Sequence, residues 1–197
     1  YSMRGDIWIQ SVGADQARAI TQGPGYHFEP TWSPDGEWIA LAVDTDGELD
    51  IAVVRTDGSD FERLTSDAAV DVQPAWTPDG QFVVFASAAG SDFDIMRYEM
   101  ATGEVQTVVG GRGNQFQPAP SPDGSTLAFI AGLRGRLGSG GIWTQPMSGG
   151  EPQLVHYEET SYRTAPTWTP DGTALVFASD AAGSYDLATV PATGGNR

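Results

Sequence analysis

The sequence predicts an all-β chain, a β-propeller made of four-stranded blades, and three observations lead there. A pentapeptide recurs at Trp32–Gly36, Trp76–Gly80, Pro120–Gly124 and Trp168–Gly172, always ending Ser/Thr-Pro-Asp-Gly. Its prolines Pro34, Pro78, Pro122 and Pro170 stand 44, 44 and 48 residues apart. A steady period of this length means stacked copies of one supersecondary unit, none able to bury its apolar faces alone. Each period also holds short β-rich runs divided by Gly, Asp and Pro turns, the pattern of a propeller blade. Finally, no stretch sustains the 3.6-residue apolar period, with caps, that a helix needs.

The period beginning at Glu29 shows the elements in order. Glu29 to Ser33 reads as a short inner strand ending at a Pro-Asp-Gly turn. There Pro presets φ, Asp can bond its own backbone and Gly accepts positive φ. Glu37 to Val43 is an apolar second strand, through Trp38, Ile39, Leu41 and Val43. Asp44 to Gly47 is a polar turn, Asp50 to Arg55 a third strand, Asp57-Gly58 a further turn, and Phe61 to Thr65 the outer strand. Elsewhere the second strands Phe82–Phe85 and Ala174–Phe177 are almost continuously apolar, as required where neighbours cover both faces of a sheet. Third strands are marked by Asp6-Ile7, Asp50-Ile51, Asp94-Ile95 and Asp186-Leu187, with Gly141-Ile142 in the remaining copy. Ile20-Thr21, Leu64-Thr65, Val108-Val109 and Leu154-Val155 mark the outer strands. Trp76, at the base of an inner strand, is expected in the core.

One array then accounts for the chain: a partial blade over 1–28, blades over 29–72, 73–116 and 117–163, and a partial blade over 164–197. The first segment supplies a third and an outer strand, and the last supplies the first three strands of a blade. About four blade equivalents fit best as part of a ring of about six or seven blades. A four-bladed ring with a redundant strand, or an open arc pairing with a second copy, are the other arrangements.

Composition narrows the function. The 197 residues carry 26 acidic and 10 basic side chains, a formal net charge of −16, and every basic residue is arginine. That field repels DNA, RNA and anionic lipid, so no nucleic-acid partner is expected. Without cysteine, neither disulfides nor thiolate chemistry applies. No apolar run reaches the length of a membrane span, so membrane insertion is not expected. Tyr1 is not an initiator methionine, and the chain reads as a processed or excised piece.

With four in-register Pro-Asp-Gly turns in WD-like repeats, the chain resembles the TolB-type β-propeller family over essentially its whole length. The resemblance implies a non-catalytic module that binds protein or peptide through its loop face, in the periplasm or outside the cell. Such propellers also occur in exported amidohydrolases and in serine peptidases resembling prolyl oligopeptidases, which implies a fused or associated hydrolase domain as the alternative. The segment Gly138 to Trp143, followed by His156 to Thr160, resembles the propellers attached to amidohydrolases. A metal-dependent propeller enzyme, with His27 and His156 as donors, is the third reading.

Candidate site residues follow from register. His27, Asp71, Gln115 and Arg163 each stand three before a blade-opening proline, and are expected near the mouth of the central channel. There they can grip a polar ligand or a peptide end; the other reading makes them solvated loop residues or mutual partners, as Asp71 with Arg163. His156, Tyr157 and Glu158 form the densest polar–aromatic cluster, and with His27 and Glu29 offer metal donors, although no metal-motif spacing supports a metal. Arg134 and Arg136, in the glycine-rich loop 131–141, suit a carboxylate or an acidic partner; flexible filler is equally consistent. Asp44 to Asp50 resembles the start of a calcium loop but lacks the later bidentate glutamate, and is read as a turn. Asp35, Asp79, Asp123 and Asp171 are read as turn residues, since all four copies need one backbone shape. No hydrolase elbow, zinc-protease motif or phosphate loop is present, and no cofactor is implied.

Overall fold

The computed structural model describes residues 1–23, 25–132, 140–157, 163–180 and 183–194, with the backbone alone at 163–165. Among them there is no helix; eighteen strands form five antiparallel meanders. The first sheet holds β1 (Ser2–Met3), β2 (Asp6–Ile9) and β3 (Arg18–Ala19). The second holds β4 (Tyr26–Trp32), β5 (Trp38–Thr45), β6 (Glu48–Arg55) and β7 (Glu62–Arg63). In the third lie β8 (Asp71–Trp76), β9 (Phe82–Ser87), β10 (Asp94–Glu99) and β11 (Val105–Val109). The fourth comprises β12 (Asn114–Pro120), β13 (Thr126–Gly132), β14 (Gly140–Pro146) and β15 (Gln153–His156). β16 (Arg163–Trp168), β17 (Ala174–Ser179) and β18 (Asp186–Pro191) make the fifth. The all-β propeller architecture read from the sequence is what the chain adopts.

The core lies between the sheets, and strand alternation divides it. Val83 and Phe85 of β9 pack with Ile51 and Val53 of the second sheet, whereas Val84 and Ala86 pack with Leu127 and Phe129 of the fourth. Successive side chains point to opposite faces, and each face meets a neighbouring sheet. A middle strand therefore needs apolar residues at every position, not every second one. The same division places Ile39, Leu41 and Val43 against Ile7 and Ile20 of the first sheet, with Ala40 turned to the third.

Each Pro-Asp-Gly turn is closed by one repeated set of bonds. The Ser33 hydroxyl donates to Asp35 Oδ1 at 2.5 Å, which also accepts the Glu37 N–H at 2.9 Å, while Ser33 Oγ accepts the Trp38 N–H at 2.9 Å. Thr77–Asp79, Ser121–Asp123 and Thr169–Asp171 repeat this arrangement at 2.6 Å each. Gly36, Gly80, Gly124 and Gly172 all have φ near 70° (73, 70, 71 and 69°), a conformation that glycine alone adopts freely. A Cβ on Gly80 would lie 3.8 Å from the Pro34 ring, one on Gly124 3.7 Å from Pro78, and one on Gly172 3.8 Å from Pro122. The turns thus rest on one another along one end of the molecule. Outer-to-inner connections, and those between second and third strands, emerge at the opposite end.

These turns carry a pH dependence. The hydroxyls of Ser121 and Thr169, then the N–H groups of Ser125 and Thr173, hold Asp123 and Asp171 down to about 2 from 3.8. Asp35 and Asp79 are lowered by Ser33 and Thr77 in the same way. A carboxyl whose folded-state pKa is depressed contributes stability that is complete above its unfolded value and lost as pH falls through the folded one. Urea midpoints are therefore expected to drop between about pH 4 and pH 2. Combining Asp123→Asn with Asp171→Asn should flatten that drop; an unchanged slope would place the acid sensitivity elsewhere.

Four details differ from the sequence reading. The polar turn expected over Asp44 to Gly47 is only Asp46-Gly47, with φ of 60 and 88°, a two-residue hairpin that lengthens β5 to Thr45. Arg4-Gly5, with φ of 57 and 87°, makes a similar hairpin, adding β1 to a sheet expected to hold only two strands. β4 begins at Tyr26 rather than Glu29. Trp76 is half-buried rather than buried, because it closes its strand at the rim, where the cluster around Val83 and Phe85 ends.

Candidate functional site

The inner strands converge on the axis through their Xaa-Pro pairs. Glu29-Pro30, Gln73-Pro74, Gln117-Pro118 and Pro166 line an axial cleft of about 260 Å³. Glu29, Gln73 and Gln117 have φ of 52, 59 and 53°, unusual for non-glycine residues, and each sits at a break in strand register. Such a conformation costs on the order of 1 kcal/mol or more per residue. It is offset by bonds that pass from blade to blade: the Gln73 N–H donates to Glu29 Oε2 and the Gln117 N–H to Gln73 Oε1, both at 2.8 Å. Burial raises the Glu29 carboxyl above its usual value, and the Gln73 N–H partly opposes this.

In the row expected at the channel mouth, His27, Asp71 and Gln115 lie two residues away from this lining and are buried. His27 Nδ1 donates to Gly5 O at 2.9 Å, lies 3.6 Å from Asp6, and sets its ring edge-on to Phe61. Gln115 Nε2 donates to Gly113 O at 2.9 Å. Asp71 faces a second cleft of about 260 Å³ between the second and third sheets, beside Thr65, Asp67 and Ser87. Burial raises its pKa, against the hydroxyls of Ser87 and Thr65. Of Arg163 only the backbone is described, paired with Ser179, so its side chain and any pairing with Asp71 lie outside the described residues. Arg134, Arg136 and Glu158 also lie outside them.

The His156 ring packs against Phe177, with centroids 5.1 Å apart and planes tilted by 40°. It sits on β15, whereas His27 sits on β4, so the two histidines belong to different sheets. Among the described residues no three His, Cys, Asp or Glu converge as metal ligands. The Asp44–Asp50 turn forms a hairpin, and Asp50 is buried against the Arg63 guanidinium and the Thr65 hydroxyl.

Exposed aromatic groups surround the loop end. Tyr26 opens β4, Tyr157 follows β15 and Tyr185 precedes β18; they are 66, 46 and 63% exposed. Strand direction puts all three at the end away from the Pro-Asp-Gly turns. The sequence reading named Tyr157 but not the others, and did not single out the Xaa-Pro residues that line the axial cleft. The Xaa-Pro pairs were visible in register, but positive φ before the proline breaks the two-residue alternation from which a facing is counted.

The family model of the TolB beta propeller domain matches residues 2–197. The chain belongs to the TolB β-propeller domain family. An uncharacterized protein of Agrobacterium fabrum is 36% identical over 66 residues, which are 34% of this propeller domain and 22% of that protein. TolB from Acinetobacter baumannii superposes with a TM-score of 0.73 at 20% identity, over 97% of this TolB propeller and 49% of that chain. A puromycin hydrolase superposes with a TM-score of 0.70 at 17% identity, over 90% of this propeller and 29% of that chain. The propeller thus spans about half the length of the Acinetobacter TolB and less of the other two. At these identities the structural likeness concerns the fold alone.

Proposed function

We propose that this TolB propeller is a non-catalytic module that takes a protein or peptide partner on its loop face, in the cell envelope or outside the cell. The carrying observation is the set of exposed tyrosines, Tyr26, Tyr157 and Tyr185, at the loop end of the blades. Tyrosine offers a large amphipathic contact at low entropic cost and is enriched at binding hot spots. A net charge of −16 favours a partner with a basic surface and steers its approach. The axial cleft beneath, with the Glu29 carboxylate and its proline walls, suits an extended polar segment.

A photo-cross-linking residue at position 185 is expected to capture one defined polypeptide from an envelope or secreted fraction. The same group at position 102, in the turn after β10, should not. Tyr26→Ser with Tyr157→Ser and Tyr185→Ser should weaken binding of that polypeptide by about tenfold or more. Equal capture from both positions would overturn the assignment of the face.

A second reading has one observation in its favour, the superposition on part of a larger hydrolase. In it the propeller is the accessory domain of an exported hydrolase, restricting access or docking substrate, with the catalytic groups outside these residues. Catalytic motifs elsewhere in the full open reading frame would support it over a free-standing module.

A further inference from the structure

The junction between the fourth and fifth sheets is filled by smaller side chains than the two before it, Ala192 among them. In every full or three-stranded blade from the second onward, the residue after the third strand is fixed by the same backbone bond at 2.9 Å. Thr56 N–H donates to Glu37 O, Met100 to Gln81, Met147 to Ser125 and Ala192 to Thr173. Met100 packs onto the cluster between the second and third sheets, and Met147 onto the one between the third and fourth. Ala192 occupies the register-equivalent place at the next junction, and an open cleft of about 550 Å³ lies there. Val155 of β15, the outer strand at this junction, is already buried in its core cluster. The opening therefore follows from smaller side chains at this junction, Ala192 in place of the methionines and Thr126 in place of Trp38 and Phe82.

The lining states what would fit. Trp168 forms one wall, and its indole N–H is already donated to Ala119 O at 2.8 Å, which leaves the ring surface for contact. Asp123 and Asp171 bring two carboxylates, Gln145 and Gln153 add polar atoms, and among the described residues no lining side chain is basic. Hydroxyl and N–H donors keep both carboxylates ionised across the physiological range. Aromatic surface beside negative charge attracts a cation with a flat or apolar stem. The chain uses this chemistry on itself: Arg55 lies 4.5 Å over the Trp38 ring and pairs with Glu37 and Asp60 at 3.1 Å each. Arg97 sits similarly, 4.9 Å over Phe82.

We propose that the cleft between the fourth and fifth sheets, walled by Trp168, Asp123 and Asp171 and opened by Ala192, binds the guanidinium of an arginine side chain in a peptide ligand. It lies at the turn end, opposite the loop face, and stands independently of the function proposed above.

The probe is acetyl-arginine amide, titrated against the whole chain while the Trp168 indole N–H is followed by NMR. Saturable binding is expected with a Kd of about 1 mM or tighter, the range for a ligand this size. Raising the ionic strength should weaken it severalfold. Acetyl-citrulline amide, the neutral isostere, should bind about tenfold or more weakly. Ala192→Met, which supplies the side chain found at the two preceding junctions, should reduce probe affinity about tenfold or more. Gln153→Arg, an exposed change at the rim that brings an internal competitor, should do the same and serves if the methionine variant fails to fold. Unchanged binding in a folded variant, equal binding of citrulline, preference for a neutral sugar, or no saturable binding to the unaltered chain would each overturn the proposal.

Discussion

Phe85→Ala is expected to lower the free energy of unfolding by about 3–5 kcal/mol, the cost of removing a large buried side chain. Phe85 is 1% exposed and lies where the second and third sheets meet, against Ile51, Val53 and Val83. Trp32→Ala is the internal control. Trp32 stands in the most visible motif of the chain but is 53% exposed, so its loss should cost below about 1 kcal/mol. Chemical denaturation of both variants separates them; comparable losses would show that packing between blades does not dominate the fold.

Gly113→Ala should cost about 2–4 kcal/mol, from two sources that add at one residue. Its φ of 90° is strained for any L side chain, and a Cβ there would sit 2.7 Å from the carbonyl oxygen of Gly132. That carbonyl belongs to the adjoining strand β13, so backbone rather than a flexible tip would have to move. Gly25 occupies the equivalent place, two residues before His27, with the Asp44 carbonyl closer still. Gly13→Ala makes the comparison clean: φ is 81°, but nothing lies within 4 Å. There only the conformational cost of about 1–2 kcal/mol remains. Equal urea midpoints for the two variants would show that the inner-strand approach is not tight.

The blade architecture was legible because one backbone shape must be made four times. Ser or Thr, Pro, Asp and Gly each supply something the turn needs, so the motif cannot drift far without losing its bonds. The continuous apolar runs of the middle strands were legible for a related reason, since burial on both faces removes the polar alternation. Other features were written in weaker signals. Arginine before glycine is a poor marker of a two-residue hairpin, so β1 went unseen. The axial place of Glu29, Gln73 and Gln117 escaped because a left-handed bulge resets which side chains face inward. Ala192 is unremarkable as a letter; its meaning appears only once the bond register aligns it with Met100 and Met147.

The bonds running from Glu29 to Gln73 and from Gln73 to Gln117 have a direction. In each, the amide that needs an acceptor belongs to the later-made blade, and the acceptor to the earlier one. A chain emerging amino end first therefore meets, at Gln73 and again at Gln117, an acceptor already in place for its next costly kink. The reverse order would expose each kink without relief. Folding from the amino end is thereby favoured, each leaf licensing its successor.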